Sequence, residues 1–134
     1  MLFLDTSALV KRYVEEEGTD LVLERMGGDP GWVVSAVART ELEITLCRLG
    51  FERDGSPAVW RRVREDWGRC HVVPVDPACL ERAGELGCRF AVRTLDALHL
   101  AAADRLPRPV AFLTFDQRQA DAARAMDLDV AVAS

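Results

Sequence analysis

Leu2-Phe3-Leu4-Asp5-Thr6-Ser7-Ala8-Leu9-Val10-Lys11 follows Met1, and the fold turns on how these residues are read. Leu2 to Leu4 reads as a short buried strand, Asp5 ends it, and Ser7 to Glu17 carries helical spacing. The same alternation then recurs. Trp32 to Val34, His71 to Val75, Val110 to Phe115 and Asp129 to Val132 are further short runs rich in branched or aromatic residues, read as buried strands. Thr19 to Met26 makes a second helix, with Gly18 and Gly27-Gly28 as stops. Ser35 is a cap for a helix reaching Leu49, where Leu42, Leu46 and Leu49 share a face and Gly50 ends it. Ser56-Pro57 opens another, with Val59, Val63 and Trp67 at four-residue spacing. Pro77 starts a helix through Phe90, Thr94 caps one through Leu106, and Gln117 to Met126 forms the last. Strands separated by helices pair in parallel through crossovers. The expected class is α/β, a three-layer α/β/α sandwich with a mostly parallel sheet of about five strands. No repeat, low-complexity linker or interior break divides it, so residues 1–134 read as one domain.

With 134 residues, 49% apolar and 29% charged, the chain is of ordinary globular composition. A chain of this size buries roughly two thirds of its unfolded surface, which removes any need for disulfides or a structural metal. Its 17 basic and 22 acidic residues give a net charge of −5. Apolar runs fall far short of the roughly 20 residues a membrane span requires, so no membrane role is expected. The start lacks a basic segment and reaches Asp5 at once, unlike a secretory signal, and the expected location is the cytoplasm. Cys47, Cys70, Cys79 and Cys88 form no C-x-x-C pair, and only His71 and His99 could join them as zinc ligands. They read as reduced thiols, most of them small apolar fillers.

In such sheets the ligand crevice lies beyond the carboxyl ends of the strands. Asp5 ends the first strand and Asp116 directly follows Val110 to Phe115. Glu41 stands about a turn and a half into the helix after the second strand, and Asp96 opens the helix near Thr94. Singly, each acid has a structural reading as a cap, a turn residue or a solvated charge. Their settings argue otherwise: Leu2-Phe3-Leu4-Asp5, Leu95-Asp96-Ala97-Leu98 and Phe112-Leu113-Thr114-Phe115-Asp116 embed three acids in apolar surroundings. Two carboxylates about 4 Å apart repel by about 4 kcal/mol at an effective dielectric near 20, so four together need protons or a cation. Oxygen ligands without Cys or His suit Mg²⁺ or Mn²⁺. Such an ion activates water and neutralises phosphate, which points to a phosphodiester substrate.

Four blocks carry a resemblance: Leu4-Asp5-Thr6-Ser7-Ala8-Leu9-Val10-Lys11, Ser35 through Glu41-Leu42, Leu95-Asp96-Ala97-Leu98-His99-Leu100-Ala101, and Leu113-Thr114-Phe115-Asp116. In this order and at this length the chain resembles the PIN-domain ribonucleases, and within them the toxins of VapBC-type toxin–antitoxin pairs. The resemblance implies an endoribonuclease using Mg²⁺ or Mn²⁺, with Asp5 and Asp96 as main metal ligands. Glu41 would complete the site and help activate the nucleophile, and Asp116 would bind a second ion or orient water. Thr6, Ser7 and Thr114 look like hydroxyls that hold the acids in position. The implied products are a 5′-phosphate and a 3′-hydroxyl. A small VapB-type antitoxin, an RNA substrate and a toxin homodimer are the implied partners. Relatives often place Gly where this chain has Asp127, which reads as a left-handed helix end.

Lys11, Arg12 and Arg39 follow strands that end at the crevice and are the candidate phosphate contacts. His99, three residues after Asp96, reads as a packed helix histidine, with pairing to Asp96 or approach to substrate as the other readings. Glu43 and Asp121 are spare acids, and Glu43 is expected to face away from Glu41. Trp32, Trp60 and Trp67 read as core. An aspartyl-phosphate phosphatase would want a second Asp two residues after Asp5, where Ser7 stands. The alternative function is a PIN-like module that binds RNA or protein without cutting.

Overall fold

The computed structural model describes residues 1–131. Strand β1 (Leu2–Leu4) leads directly into α1 (Thr6–Val10), then α2 (Thr19–Gly27), β2 (Trp32–Ser35), α3 (Val37–Arg48), α4 (Pro57–Arg69) and β3 (His71–Val73). The second half comprises α5 (Pro77–Arg89), α6 (Thr94–Asp104), β4 (Ala111–Leu113), α7 (Gln117–Ala125) and β5 (Asp129–Ala131). The five strands lie in the order β3-β2-β1-β4-β5, and every pairing is parallel. The expected last strand is described as far as Ala131; Val132 lies outside the described residues.

Alternation along each strand builds two cores. Phe3, Val33 and Phe112 face one side, where they meet α5, α6 and α7 through Leu86, Leu100 and Ala123. Leu2, Leu4, Val34 and Leu113 face the other, against Leu9, Met26, Leu42, Trp60 and Val63. Period-two side chains on buried parallel strands demand a helix layer on each face, and the three-layer sandwich follows. Every residue of α6 from Ala97 to Ala103 is buried. That helix therefore forms the floor of one layer and places Asp96 at the crevice end. Trp32 and Trp60 are core residues whose indole N–H groups donate to Met26 O at 2.9 Å and Phe51 O at 3.0 Å. Trp67 packs half-buried against the same core.

Several boundaries differ from those read in the sequence. Helix α1 stops at Val10 rather than Glu17. Lys11, Arg12 and Tyr13 donate to the carbonyls three residues back, and Thr19 Oγ1 bridges Val14 O and Glu16 N. Glu15, Glu16 and Glu17 would otherwise stack negative charge on the negative end of a helix. Strand β3 ends at Val73 because Pro74 has no N–H for the ladder. Ser35 is the last residue of β2 rather than a full cap; its Oγ accepts weakly from Val37 N at 3.4 Å. Thr94 is the first residue of α6, and Arg93 occupies its N-cap. Asp127 takes the expected left-handed conformation, φ 61°. Gly18, φ 96°, is required twice over, since a Cβ there would lie 2.6 Å from the Phe115 ring. The cysteines are free; Cys79 is buried, Cys70 half-buried, and Cys47 and Cys88 are exposed. The filler role therefore holds for the first two alone, and burial pushes the Cys70 thiol up to about 11.

Candidate active site

The chain winds outward from β1 to β2 and β3, then returns to β4 and β5 on the other side. The reversal between β1 and β4 leaves a crevice beyond their carboxyl ends. It has a volume of about 490 Å³ and is lined by Asp5, Glu41, Asp96 and Asp116, with Arg93 and Lys11 at its edge.

Asp5 is 3% exposed and caps α1. Its Oδ1 accepts from Ser7 Oγ at 2.7 Å and Ala8 N at 3.0 Å, and its Oδ2 accepts from Thr114 Oγ1. Ser7 Oγ also accepts from Phe115 N at 2.9 Å, and Thr114 Oγ1 from Asp116 N at 3.1 Å. These two hydroxyls stitch the end of β1 to the end of β4 across the sheet reversal. Burial pushes the Asp5 carboxyl above its ordinary value, against the opposing pull of His99 and of its hydrogen bonds to Thr114, Ser7 and Ala8.

Glu41, on α3, meets α6 across the crevice floor. His99 Nε2 lies 2.6 Å from Glu41 Oε1, and Thr6 Oγ1 donates to the same oxygen at 2.7 Å. A carboxylate only accepts, so Nε2 carries the proton. Nδ1 of this buried ring has no hydrogen-bond partner among the described residues. Burial alone would raise the Glu41 carboxyl, but the bond and charge of His99 and the Thr6 hydroxyl hold it below its ordinary value. His99 is thus packed as read, but it pairs with Glu41 and not with Asp96. The three-residue spacing from Asp96 was the available signal that its helix face points at the crevice.

Asp116 caps α7, accepting from Gln119 N at 3.1 Å. Arg93 bridges it to Asp96: Nε is 3.4 Å from Asp96 Oδ2 and Nη2 is 3.8 Å from Asp116 Oδ2. Arg93 escaped the sequence reading, although it stands three residues before Asp96, a spacing that favours an ion pair.

Of the three basic residues expected at phosphate, Lys11 alone lines the crevice. Its Nζ is held by Glu16 Oε1 at 3.0 Å and Glu17 O at 2.7 Å, and lies 4.6 Å from the Phe115 ring centre. Arg12 turns away to Asp66, with contacts of 2.7 and 3.2 Å, because the turn after α1 presents it to α4. Tyr13 OH donates to the same carboxylate at 2.6 Å. Arg39 pairs with Glu43 at 2.6 Å, one helical turn along α3, and Arg53 joins that pair. Glu43 accordingly faces away from Glu41, as its spacing requires.

The donor set is all carboxylate oxygen, hard ligands suited to Mg²⁺ or Mn²⁺. Asp5 supplies the physical case: a buried carboxyl pushed up by desolvation is one whose ionised form wants a cation. Among the described residues, no three His, Cys, Asp or Glu side chains are gathered closely enough to cage an ion as they stand. Each acid has instead found its own partner, Asp5 in hydroxyls, Glu41 in His99 and Thr6, Asp96 and Asp116 in Arg93. Mutual repulsion of uncompensated carboxylates favours that arrangement. In chemistry and location the four acids fit the ion: Asp96 and Asp116 would give up Arg93 to ligate it, while Asp5 and Glu41 would keep the hydrogen bonds that orient them.

A family profile described as PIN domain matches residues 2–125. Over 130 residues the sequence is 34% identical to Ribonuclease VapC46 of Mycobacterium tuberculosis (strain ATCC 25618 / H37Rv), covering 96% of this chain and 95% of that protein. The fold is similar to the crystal structure of Mycobacterium tuberculosis VapC20, a sarcin-ricin loop cleaving toxin, with TM-score 0.73, 18% identity and coverage of 93% and 95%. It is also similar to a toxin–antitoxin complex from Klebsiella pneumoniae, with TM-score 0.68, 17% identity and 89% of each chain covered. At these identities the two structural likenesses speak for the fold.

Proposed function

We propose, from the premise that the chain belongs to the PIN-domain family, that it is an endoribonuclease and the toxin component of a toxin–antitoxin pair. In the finer reading it depends on Mg²⁺ or Mn²⁺, with residues 1–134 as a single PIN-like domain. One observation carries this: in a chain 34% identical to a ribonuclease, Asp5, Glu41, Asp96 and Asp116 line one crevice at the sheet reversal.

When bound, the ion would neutralise phosphate charge and make the attacking water more acidic. Asp5 and Asp96 would hold it, with Glu41 and Asp116 completing the set. Glu41, kept ionised by His99 and Thr6, can accept a hydrogen bond from the attacking water and so aim it. Thr114 and Ser7 fix the Asp5 carboxylate, so that no reorganisation is required of it as charge develops. Water adds to phosphorus, the bond from phosphorus to the 3′-oxygen breaks, and that oxygen leaves as a hydroxyl after taking up a proton. A 5′-phosphate remains on the other fragment.

The partners that go with this function are an RNA substrate, a small VapB-type antitoxin and a second copy of the chain. Among the described residues no helix is long and apolar enough to cross a membrane. The RNA acted on in this reading is cytoplasmic. The deciding experiment incubates the purified chain with total RNA in Mg²⁺ or Mn²⁺, beside an EDTA control and Asp96→Asn. Cleavage lost in both controls and leaving 5′-phosphates is the expected result. Cleavage that survives Asp96→Asn refutes this site, and binding without cleavage under any condition supports the non-cleaving module. Copurification with a small protein encoded next to this chain tests the antitoxin.

A further inference from the structure

We propose that Arg93 is a resident counter-ion of the crevice, exchanged for the divalent ion and then available to hold RNA phosphate beside Arg118. The proposal rests on the metal-dependent nuclease reading above and adds to it a role for this chain's own cation.

Arg93 sits at the N-cap of α6 in extended backbone, φ −76° and ψ 167°, and makes no capping bond. Its side chain is 81% exposed and is held by the two acids it bridges. Separations of 3.4 and 3.8 Å are long for a guanidinium on a carboxylate, and neither contact is the two-pronged fork that makes such pairs strong. Exposed ion pairs of this quality are weak, so a doubly charged ion competes with them easily. Lys11, the other cation lining the crevice among the described residues, is by contrast tied to Glu16 and to the Glu17 carbonyl.

There is also somewhere for the displaced guanidinium to go. Arg93 lines a second concavity of about 440 Å³ next to the first, shared with Asp96, Asp116, Gln117 and Arg118. Arg118 is exposed and has no acidic partner within 4.0 Å among the described residues. Once Asp96 and Asp116 are satisfied by a metal, the concavity changes from a neutralised acid pair to a pocket presenting two free guanidinium groups. A planar fork of that kind matches phosphate oxygens, and its position beside Asp116 suits a phosphate flanking the one attacked. The acidic chain, net −5, thus gains local positive charge only in the metal-loaded state.

The test uses the full chain, freed of metal, as wild type, Arg93→Ala, Arg93→Lys and Arg118→Ala. Titration calorimetry with Mn²⁺ alone is expected to show about two- to fivefold tighter binding for Arg93→Ala, the range expected when one weak exposed competitor is removed. Arg93→Lys and Arg118→Ala should stay near wild type. In cleavage assays both alanine variants should raise KM while kcat changes little, and each should reduce the salt dependence of RNA binding by about one charge. Unchanged or weaker Mn²⁺ binding by Arg93→Ala overturns the exchange, and an unchanged KM overturns the phosphate role. Melting in EDTA checks that the variants fold. If the wild type neither binds Mn²⁺ nor cleaves RNA, the nuclease reading falls with the proposal. If it does both and Arg93→Ala matches it, the proposal alone falls.

Discussion

Replacing Thr114 by Val tests how the crevice tolerates the buried Asp5. Thr114 is fully buried, and its hydroxyl donates to Asp5 Oδ2 and accepts from Asp116 N at 3.1 Å. Valine has nearly the same shape, so no cavity forms and the change isolates the hydrogen bonds. A bond to a charged group contributes roughly 1.5–3 kcal/mol, and the buried oxygen left behind finds no water to replace it. The expected loss is therefore about 2–3 kcal/mol; at roughly 3–5 °C per kcal/mol for a chain of this size, Tm falls by about 6–15 °C. Thermal unfolding in EDTA, followed upward in pH until the difference from wild type levels off, reads this directly. The pH dependence adds a second constraint. The lost bond favoured the ionised form of Asp5, so its removal raises the Asp5 carboxyl still further above its ordinary value. The penalty is consequently full where Asp5 is ionised and shrinks as pH falls through its titration in the folded chain. A Tm within about 2 °C of wild type, or a penalty that does not change with pH, would refute the account of Asp5 as a buried charge held by hydroxyls.

His99→Leu removes the proton donor from Glu41; freed from His99, the burial that raises Glu41 prevails, so the acidic limb of the kcat/KM profile should move to higher pH. Activity should drop by about 10- to 100-fold, the usual cost of losing a group that orients a ligand, and a profile superimposable on wild type would contradict the pairing. Asp5→Asn should abolish cleavage yet gain in relative stability with rising pH in EDTA. A raised folded value means that the stability Asp5 contributes is complete below its unfolded value, near 3.8, and is lost as pH rises through the folded one. Denaturant midpoints that diverge the other way would be inconsistent with this sign. Asp66→Ala leaves Arg12 and Tyr13 without their shared acceptor and should cost about 1–2 kcal/mol, discounted for partial exposure. The Asp66 carboxyl is held below its ordinary value, chiefly by Arg12 and Tyr13 once burial is overcome, so the gap should close as pH falls through its folded value. Cleavage per folded molecule should be unchanged, and a large loss of activity in fully folded Asp66→Ala would put Arg12 back among the RNA contacts.

The sequence by itself determined the alternation of strands and helices, the two-faced burial of the sheet and the positions of the four acids. These are matters of local periodicity. Leu2, Phe3 and Leu4 alternate faces because strand side chains must, and acids at strand ends and early in following helices are carried to one edge by parallel winding. Asp127 was legible for the same local reason, as a tolerable left-handed residue. What the tertiary structure decided is the partner of each charge. Glu41 lies 58 residues from His99, and Arg12 lies 54 from Asp66. No spacing rule reaches so far along the chain, and these pairs exist only because α3 meets α6 and the turn after α1 meets α4. Arg12 was misplaced on those grounds: its helix was read as running to Glu17, whereas the chain turns after Val10 and presents it to the opposite side. Arg93 is the intermediate case, close to Asp96 in sequence but bridged to Asp116 by the fold alone. Charge pairing is long-ranged and satisfied by whatever packing brings near, and that is why the location of the acids could be read from the sequence while the balance of charge around them could not.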